Sequence, residues 1–154
     1  MFIEKIKDNI FHSEAEVYVN TVNCVGVSGK GLALQFKKVF PSNYDYYVNC
    51  CNQKLLKPGS ILVYETGSDF PFGPKYIVNF ATKNNWKHQS EYRWIETGLV
   101  ELVQWCKDKQ IKSIAIPALG CTNGKLDWIE VRFLIKRHFS ILPEITVELY
   151  SPVA

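Results

Sequence analysis

The sequence predicts an α/β fold in which a sheet is covered by helices on both faces. Apolar runs of strand length alternate along the chain with stretches whose apolar residues recur at helical spacing. Most of the strand-length runs are nearly continuous in Val, Ile and Leu, which is typical of strands buried on both faces. Alternating strands and helices over 154 residues therefore indicate one domain, residues 1–154, built as a three-layer α/β/α sandwich.

Six strands are predicted. They are a weaker one near residues 2–6, followed by residues 17–23, 61–65, 76–80, 113–117 and 146–150. Chemistry is expected where these strands end, because ligands of open α/β sheets bind at the carboxyl ends of the strands.

Four helices are predicted between the strands. Two cover about residues 30–39 and 43–52. A third begins after Ser90 and a fourth after Asp127, each residue serving as the N-cap. Glu130 follows Asp127 by three residues, as in a capping box.

The composition is that of a soluble globular protein, with 47% hydrophobic and 21% charged residues. The net charge of +3 permits contact with nucleic acids or nucleotides without requiring it. The five cysteines form no CxxC pair, and the three histidines are scattered, so neither a metal nor another cofactor is predicted. No run approaches the length of a membrane span, and we expect a cytoplasmic monomer that does not contact membranes.

The most informative segment joins the second strand to the first helix. The strand runs into two asparagines, the second of them Asn23, and three glycines follow within six residues. A glycine-rich turn at a helix N-terminus offers backbone N–H groups to a phosphate, and asparagine amides suit the hydroxyls of a ribose. The segment is not a P-loop, because Gly31 rather than Ser or Thr follows Lys30.

A second loop, residues 117–128, repeats this pattern. A buried strand ends at Pro117, and Gly120 and Gly124 precede the capped fourth helix. Two phosphate-binding loops on one small domain predict a diphosphate held between them, as in a dinucleotide or ADP-ribose. Two purely structural turns are the alternative.

A third loop, residues 79–88, places amides, lysines and an aromatic ring just past the end of a strand. Lys83 is the one obvious nucleophile or proton donor near the three loops. A lysine held among backbone amides and close to Lys87 is expected to have a lowered pKa, which suits attack on a sugar carbon. A solvated surface lysine is the alternative.

Four blocks of the sequence resemble the macrodomain family and, more narrowly, its DarG-type branch, the antitoxin half of DarT–DarG systems. The blocks are VNTVNCVGVSGKGLALQFKKVFP, PGSILVYETG, GPKYIVNFATKNNW and IAIPALGCTNGKLDW. They follow in the family order and cover most of the chain from Val19 to Trp128. The resemblance implies a macrodomain fold with a mixed, mostly parallel central sheet and a cleft for ADP-ribose.

The resemblance also implies an activity. A DarG-type protein is a DNA ADP-ribosyl glycohydrolase, which removes ADP-ribose from thymidine bases in DNA and reverses the action of a DarT-like toxin. ADP-ribosylated DNA and such a toxin are therefore the expected partners. Two alternatives stay open, namely hydrolysis of ADP-ribose from acidic protein side chains and a module that binds ADP-ribose without cleaving it. A nucleotide-metabolising enzyme unrelated to ADP-ribose is a third.

Individual residues take roles from the same resemblance. Asn23 corresponds to the asparagine that holds the distal ribose, and Lys83 to the lysine on which turnover depends, acting as a nucleophile or as an acid. Trp86 and Asn85 are expected to contact the modified base. The remaining expected contacts with ADP-ribose are Asn9, Ile10, Cys24, Val25, Gly29, Lys30, Gly31, Thr82, Leu119, Gly120, Cys121, Thr122, Asn123 and Gly124. Among these, Asn9 is expected to accept a hydrogen bond from the adenine amine.

Three features depart from the family pattern. Ala81 and Asn85 stand where FPTKxHW has proline and histidine, which bears on the preference for a DNA base. Thr122 and Lys125 stand where glycines are common, which narrows the cleft or adds a cation facing the substrate. DarG proteins usually continue into a second domain that binds the toxin, so a stand-alone enzyme and an isolated domain are both possible here.

Overall fold

A computed structural model describes residues 1–67 and 70–152. Its central sheet has six strands in the order β1-β6-β5-β2-β4-β3. The strands are β1 Phe2–Lys5, β2 Val17–Val22, β3 Ile61–Glu65, β4 Tyr76–Ala81, β5 Ser113–Ile116 and β6 Thr146–Tyr150. Only the β3–β4 pair among them is antiparallel, so the predicted mixed, mostly parallel sheet is confirmed.

Four α-helices cover the sheet, and each was predicted to within two residues at its start. They are α1 Gly31–Val39, α2 Pro41–Asn52, α3 Tyr92–Lys109 and α4 Trp128–Phe139. α2 begins two residues before its predicted start, because Pro41 occupies the first turn, where its missing N–H and fixed φ are tolerated. A 3₁₀ turn at Ile10–His12 was not predicted.

The sheet separates two apolar layers, as the alternation of side chains along a strand requires. On one face, Val17 and Val19 of β2 pack in a cluster with the buried residues of α3 and α4. On the other face, Tyr18 of the same strand packs with Phe36 and Phe40 at α1. The apolar residues of α2 form a third cluster around Tyr47. Helices thus cover both faces, and the predicted three-layer arrangement is confirmed.

Of the two predicted helix caps, one is confirmed and the other is wrong. The Asp127 side chain accepts a hydrogen bond from the Ile129 N–H, so the cap of α4 is confirmed. The prediction for Ser90 is wrong, because α3 begins one residue later, after Glu91, without a side-chain cap. Ser90 Oγ is buried and has no hydrogen-bond partner within residues 1–67 and 70–152, while the Ser90 N–H donates to the carbonyl of Gly124 at 3.1 Å and holds Ser90 against the loop after β5.

Candidate active site

A cleft of about 840 Å³ opens at the carboxyl ends of the parallel strands. Its lining falls within residues 8–10 after β1, 21–35 from β2 into α1, 82–86 after β4, 117–124 after β5 and 150–152 at β6. The strand order therefore fixes the order of these segments along the cleft. Residues after β1 and β6 form one end, the loops after β5 and β2 form the middle, and the loop after β4 forms the other end.

Lys83 lies at the β4 end of this cleft. Its side chain enters from the third predicted loop and is only 9% exposed. Its Nζ donates to the carbonyl oxygen of Asn123 at 2.8 Å and lies 3.5 Å from that of Trp86. Lys83 therefore links the loop after β4 to the loop after β5, and the alternative of a solvated surface lysine is wrong.

The surroundings of Lys83 lower its pKa. Burial acts most strongly, because it disfavours the charged ammonium, and the positive charges of Lys30 and Lys125 add to the effect. Among the described residues, Lys83 forms no ion pair with a carboxylate within 4 Å. The amine is therefore easier to deprotonate than an ordinary lysine and is held by neutral carbonyls.

Asn23 organises the first loop from the inside. Its Oδ1 accepts hydrogen bonds from the backbone N–H groups of Val25, Gly26 and Val27 at 3.1–3.3 Å. Its Nδ2 donates to the Val27 carbonyl oxygen at 2.7 Å, and Asn23 also lines the cleft. An amide nitrogen has two protons, so one N–H of Asn23 remains for a ligand while Oδ1 is already occupied by the loop.

The first turn of α1 presents backbone N–H groups at the middle of the cleft. Lys30 is the N-cap residue and forms no side-chain cap, so the N–H groups of the first turn are not satisfied by that side chain. Gly31 has φ +62°, a conformation in which glycine is the unstrained residue. Gly29, Lys30 and Gly31 line the cleft together with the buried Ser28.

The loop after β5 faces this helix terminus, and Ser90 packs closely against its glycines. The Leu126 N–H donates to the Gly120 carbonyl oxygen at 2.9 Å and closes the loop. A Cβ atom added at Gly124 would lie 2.2 Å from Ser90 Oγ and 2.4 Å from the Gly120 carbonyl oxygen. Glycine is therefore required at 124 by close packing, and Ser90 is the residue that sets the position of the loop.

Asn9 lines the β1 end of the cleft, and its side-chain carbonyl oxygen already accepts one hydrogen bond. Asn9 Oδ1 accepts from the Phe11 N–H at 2.9 Å and caps the 3₁₀ turn. The neighbouring Asp8, which was not predicted, also lines the cleft. Asp8 accepts from the Asn9 N–H and lies 3.9 Å from Lys5 Nζ, but a carboxylate has about four acceptor positions, so Asp8 is the better acceptor for a ligand at this end.

Most predicted site residues come together in the lining. They are Asn9, Ile10, Asn23, Gly29, Lys30, Gly31, Thr82, Lys83, Trp86, Gly120, Cys121, Thr122, Asn123 and Gly124.

Four predicted contacts lie elsewhere. Leu119 belongs to the core, and Val25 is exposed outside the lining. The Cys24 thiol lies 3.5 Å from the Lys83 carbonyl oxygen and is not part of the lining. Asn85 Oδ1 accepts from the Lys87 N–H and shapes its own turn.

Sequence reasoning did not include the β6 end of the cleft among the site residues. Tyr150, Ser151 and Pro152 line it together with Asp8. The signal was available, because Tyr150 ends a predicted strand whose carboxyl end must join the same edge of the sheet.

Neither a group of metal-ligating side chains nor a helix able to span a membrane is found within residues 1–67 and 70–152.

The fold and this cleft define a class of protein. Residues 19–135 match the Macro domain family, and the chain belongs to that family.

Within the family, the chain is similar to DarG proteins. It is 43% identical, over 96% of its length, to the DNA ADP-ribosyl glycohydrolase of Thermus aquaticus. Its structure matches the macrodomain of Mycobacterium tuberculosis DarG with a TM-score of 0.95 at 37% identity, covering 99% of both chains. It matches Thermosipho africanus DarTG in complex with ADP-ribose with a TM-score of 0.87 at 35% identity, covering 98% of this chain and 42% of that one. The chain spans about two fifths of the Thermus aquaticus relative, 41%.

Proposed function

We propose that this macrodomain is a DNA ADP-ribosyl glycohydrolase, which binds ADP-ribose in the cleft and removes it from thymidine bases in DNA. The observation that carries the proposal is the buried Lys83 amine at one end of the cleft, 2.8 Å from the Asn123 carbonyl oxygen. A module that only binds ADP-ribose gains nothing from a desolvated amine with a lowered pKa.

The order of segments along the cleft orients the ligand. The adenine lies at the β1 and β6 end, where Asp8 accepts from its amine and Tyr150 forms a wall. The diphosphate lies between the first turn of α1 and the loop after β5, where backbone N–H groups meet Lys30. The distal ribose then lies at the β4 end, beside Asn23 and Lys83, and the free N–H of Asn23 binds one of its hydroxyls.

Lys83 acts on C1 of the distal ribose. As a nucleophile, the neutral amine forms an N–C bond as the bond to the thymine nitrogen breaks, and that nitrogen leaves with the bonding electrons and takes up a proton. The sugar ring opens to an imine, which water hydrolyses to free ADP-ribose and the amine. As an acid, the ammonium instead gives its proton to the departing base while water attacks C1. Both routes need the amine next to C1.

Three observations favour DNA as the substrate. Relatives that are 43% and 39% identical are DNA ADP-ribosyl glycohydrolases. Trp86 lines the cleft beside Lys83 and is 49% exposed, so its ring is available to a base. Lys87 lies 5.4 Å from the Trp86 ring, and the charge of Lys125 acts on Lys83, so cations accompany this end of the cleft. The biological role we propose is reversal of the action of a DarT-like toxin, by a cytoplasmic monomer. In support of this role, a relative from Thermosipho africanus is a fusion of a DNA ADP-ribosyl transferase with the glycohydrolase.

The test uses a single-stranded oligonucleotide that carries ADP-ribose on one thymidine. Wild-type protein is expected to release free ADP-ribose, detected by mass spectrometry, and Lys83→Ala to lose at least a hundredfold in rate. Lys75→Ala is the matched control, because Lys75 is an exposed lysine at the opposite end of β4. Calorimetry with ADP-ribose should show that Lys83→Ala still binds the product, which separates a chemical defect from misfolding.

Each of three other outcomes would contradict the proposal. Equal release by Lys83→Ala would favour a binding module with contaminating activity. Release from ADP-ribosylated glutamate peptides but not from the oligonucleotide would favour the acidic protein side chain as substrate. Binding of AMP as tight as that of ADP-ribose would favour a nucleotide-metabolising enzyme.

A further inference from the structure

Lys125 holds its backbone in a conformation that disfavours a lysine. Its φ is +64°, in the left-handed region where glycine is unstrained and a residue with a Cβ is strained. The conformation is needed to close the loop, since the bond from the Leu126 N–H to the Gly120 carbonyl oxygen follows directly. Glycine would close the turn equally well, so what lysine adds at this position is its side chain.

Lys125 directly follows the cleft lining along the chain without belonging to it, and this border is called the rim of the cleft here. Lys125 is exposed, and it follows Asn123 and Gly124, which do line the cleft. It is also near enough to Lys83 for its charge to act on the amine. Because the bond to be broken lies at Lys83, the rim on this side faces the group to which ADP-ribose is attached.

A second cation and an aromatic ring lie at the Lys83 end of the cleft. Lys87 Nζ is 5.4 Å from the centre of the exposed Trp86 ring, and Trp86 lines the cleft with Lys83. Asp127 is the nearest acidic residue along the chain, and its carboxylate accepts from the Ile129 N–H as the cap of α4. No ion pair within 4 Å neutralises Lys125 among residues 1–67 and 70–152.

We propose that Lys125 is a specificity-determining residue, whose ammonium binds a phosphodiester of the DNA strand next to the modified thymidine. This inference rests on the proposed function. It adds that the enzyme recognises the strand as well as ADP-ribose, through a cation that is not part of the cleft lining. A substrate without phosphodiesters gains nothing from this contact.

The test compares two substrates. One is the ADP-ribosylated oligonucleotide, and the other is the single nucleoside thymidine carrying ADP-ribose. The ratio of their kcat/KM values cancels any effect on Lys83 itself, because both substrates use the same amine. Lys125→Gly is expected to lower the ratio about 3–10-fold at low salt, which corresponds to the loss of one ion pair with phosphate. The dependence of log kcat/KM on log salt for the oligonucleotide should become shallower by about 0.7.

The chain offers matched controls. Lys54 is an exposed lysine with φ +57° directly after α2, far along the chain from the cleft segments, and Lys54→Gly should relieve the same backbone strain without changing the ratio. Both glycine variants are expected to raise Tm by about 1–3 °C. Lys125→Arg should keep the ratio of wild type, because it keeps the charge.

Two outcomes would overturn the inference. If the wild type cleaves both substrates and Lys125→Gly leaves the ratio and the salt slope unchanged, Lys125 does not contact the strand. If the wild type releases ADP-ribose from neither substrate, the proposed function itself is wrong, and this inference with it.

Discussion

The hydroxyl of Tyr47 lies 2.8 Å from the carbonyl oxygen of Asn23 and 2.9 Å from its Oδ1. Tyr47 is a residue of α2 and is only 1% exposed, so this hydroxyl has no access to water. Burial, together with the nearby thiol groups of Cys51 and Cys24, raises the pKa of Tyr47, so it remains a neutral hydrogen-bond donor. Tyr47 thus fixes which way the Asn23 amide faces, and leaves one N–H of its nitrogen for the ligand.

Tyr47→Phe is therefore expected to impair turnover, although Tyr47 is not part of the cleft lining. Removing the hydroxyl leaves buried acceptors of Asn23 with one donor fewer, which should lower the free energy of unfolding by about 1–2 kcal/mol. A looser Asn23 should lower kcat about tenfold with a smaller change in KM, since orientation of the ribose is lost. Steady-state kinetics and thermal unfolding measure both effects.

Tyr46→Phe is the matched control for that variant, because Tyr46 lies on the same helix and is 38% exposed. It should behave as wild type in turnover. An unchanged kcat in Tyr47→Phe would show that the backbone N–H groups of the loop hold Asn23 without help.

The pH dependence of turnover should report on Lys83. Because burial and the charges of Lys30 and Lys125 lower its pKa, the transition in rate should fall below the ordinary lysine value of 10.5. A rate that rises with pH identifies the neutral amine as nucleophile, and a rate that falls identifies the ammonium as acid. Lys30→Gln, which removes one like charge, should move the midpoint upward in either case, and a midpoint that stays fixed would contradict this account.

The same shift affects stability. Between the lowered pKa of Lys83 in the folded state and 10.5 in the unfolded state, the unfolded chain binds more protons, so the contribution of Lys83 to folding stability rises with pH in that window. Lys83→Met should remove this rise. Chemical denaturation of the two proteins at a series of pH values measures the difference, and parallel curves would argue against a desolvated amine.

Gly124→Ala should displace the loop after β5. The added Cβ would lie 2.2 Å from Ser90 Oγ and 2.4 Å from the Gly120 carbonyl oxygen, and the second contact is with backbone that moves only with the loop. We expect a loss of about 1–3 kcal/mol in the free energy of unfolding and weaker ADP-ribose binding. In Gly29→Ala, by contrast, the added Cβ meets nothing within 4 Å, and its Tm should be close to that of wild type. Equal Tm values for the two variants would mean that the Ser90 contact relaxes freely.

Glu148 should matter for the adenine end of the cleft. Its Oε1 accepts from Tyr150 Oη at 2.8 Å and from Ser13 Oγ at 2.7 Å, and so holds the ring that lines the cleft. Glu148→Ala is expected to weaken ADP-ribose binding about 5–20-fold, in line with the loss of hydrogen bonds to a charged group. Binding of ribose 5-phosphate, which has no adenine, should be unaffected. Calorimetry distinguishes the two, and an equal loss for both ligands would indicate a general collapse of the cleft.

Many of the strands and the loops of the site could be predicted from the local sequence. The strands at Ile61–Glu65 and Thr146–Tyr150 were predicted with their observed bounds, because a continuous apolar run between turn residues leaves few alternatives. The three site loops were found because glycines, asparagines and Lys83 follow strand ends. The end of a strand is a local property, and parallel strands place such ends at one edge of the sheet.

The contacts that individual side chains make in the folded protein could not be predicted in the same way. Ser90 has the sequence signature of a helix cap, yet its backbone binds Gly124, 34 residues further on, and the helix begins without it. Asn9 was expected to accept a hydrogen bond from adenine, and in the structure its side-chain oxygen accepts one from the Phe11 N–H in the 3₁₀ turn. Leu119 stands in a loop by sequence but points into the core. The predictions for Ser90 and Leu119 failed because a contact with another segment outweighed a weak local preference, whereas the Asn9 side chain accepts its hydrogen bond from Phe11, two residues away.

The sequence by itself determined the layers, the order of elements along the chain and the loops that meet in the cleft, because apolar periodicity and turn residues act over a few neighbours. Only the tertiary structure decided the environment of Lys83. Its burial, its carbonyl partner 40 residues away and the two cations that lower its pKa come from segments that the chain brings together on folding. Desolvation and charge act through space, and no local pattern encodes them.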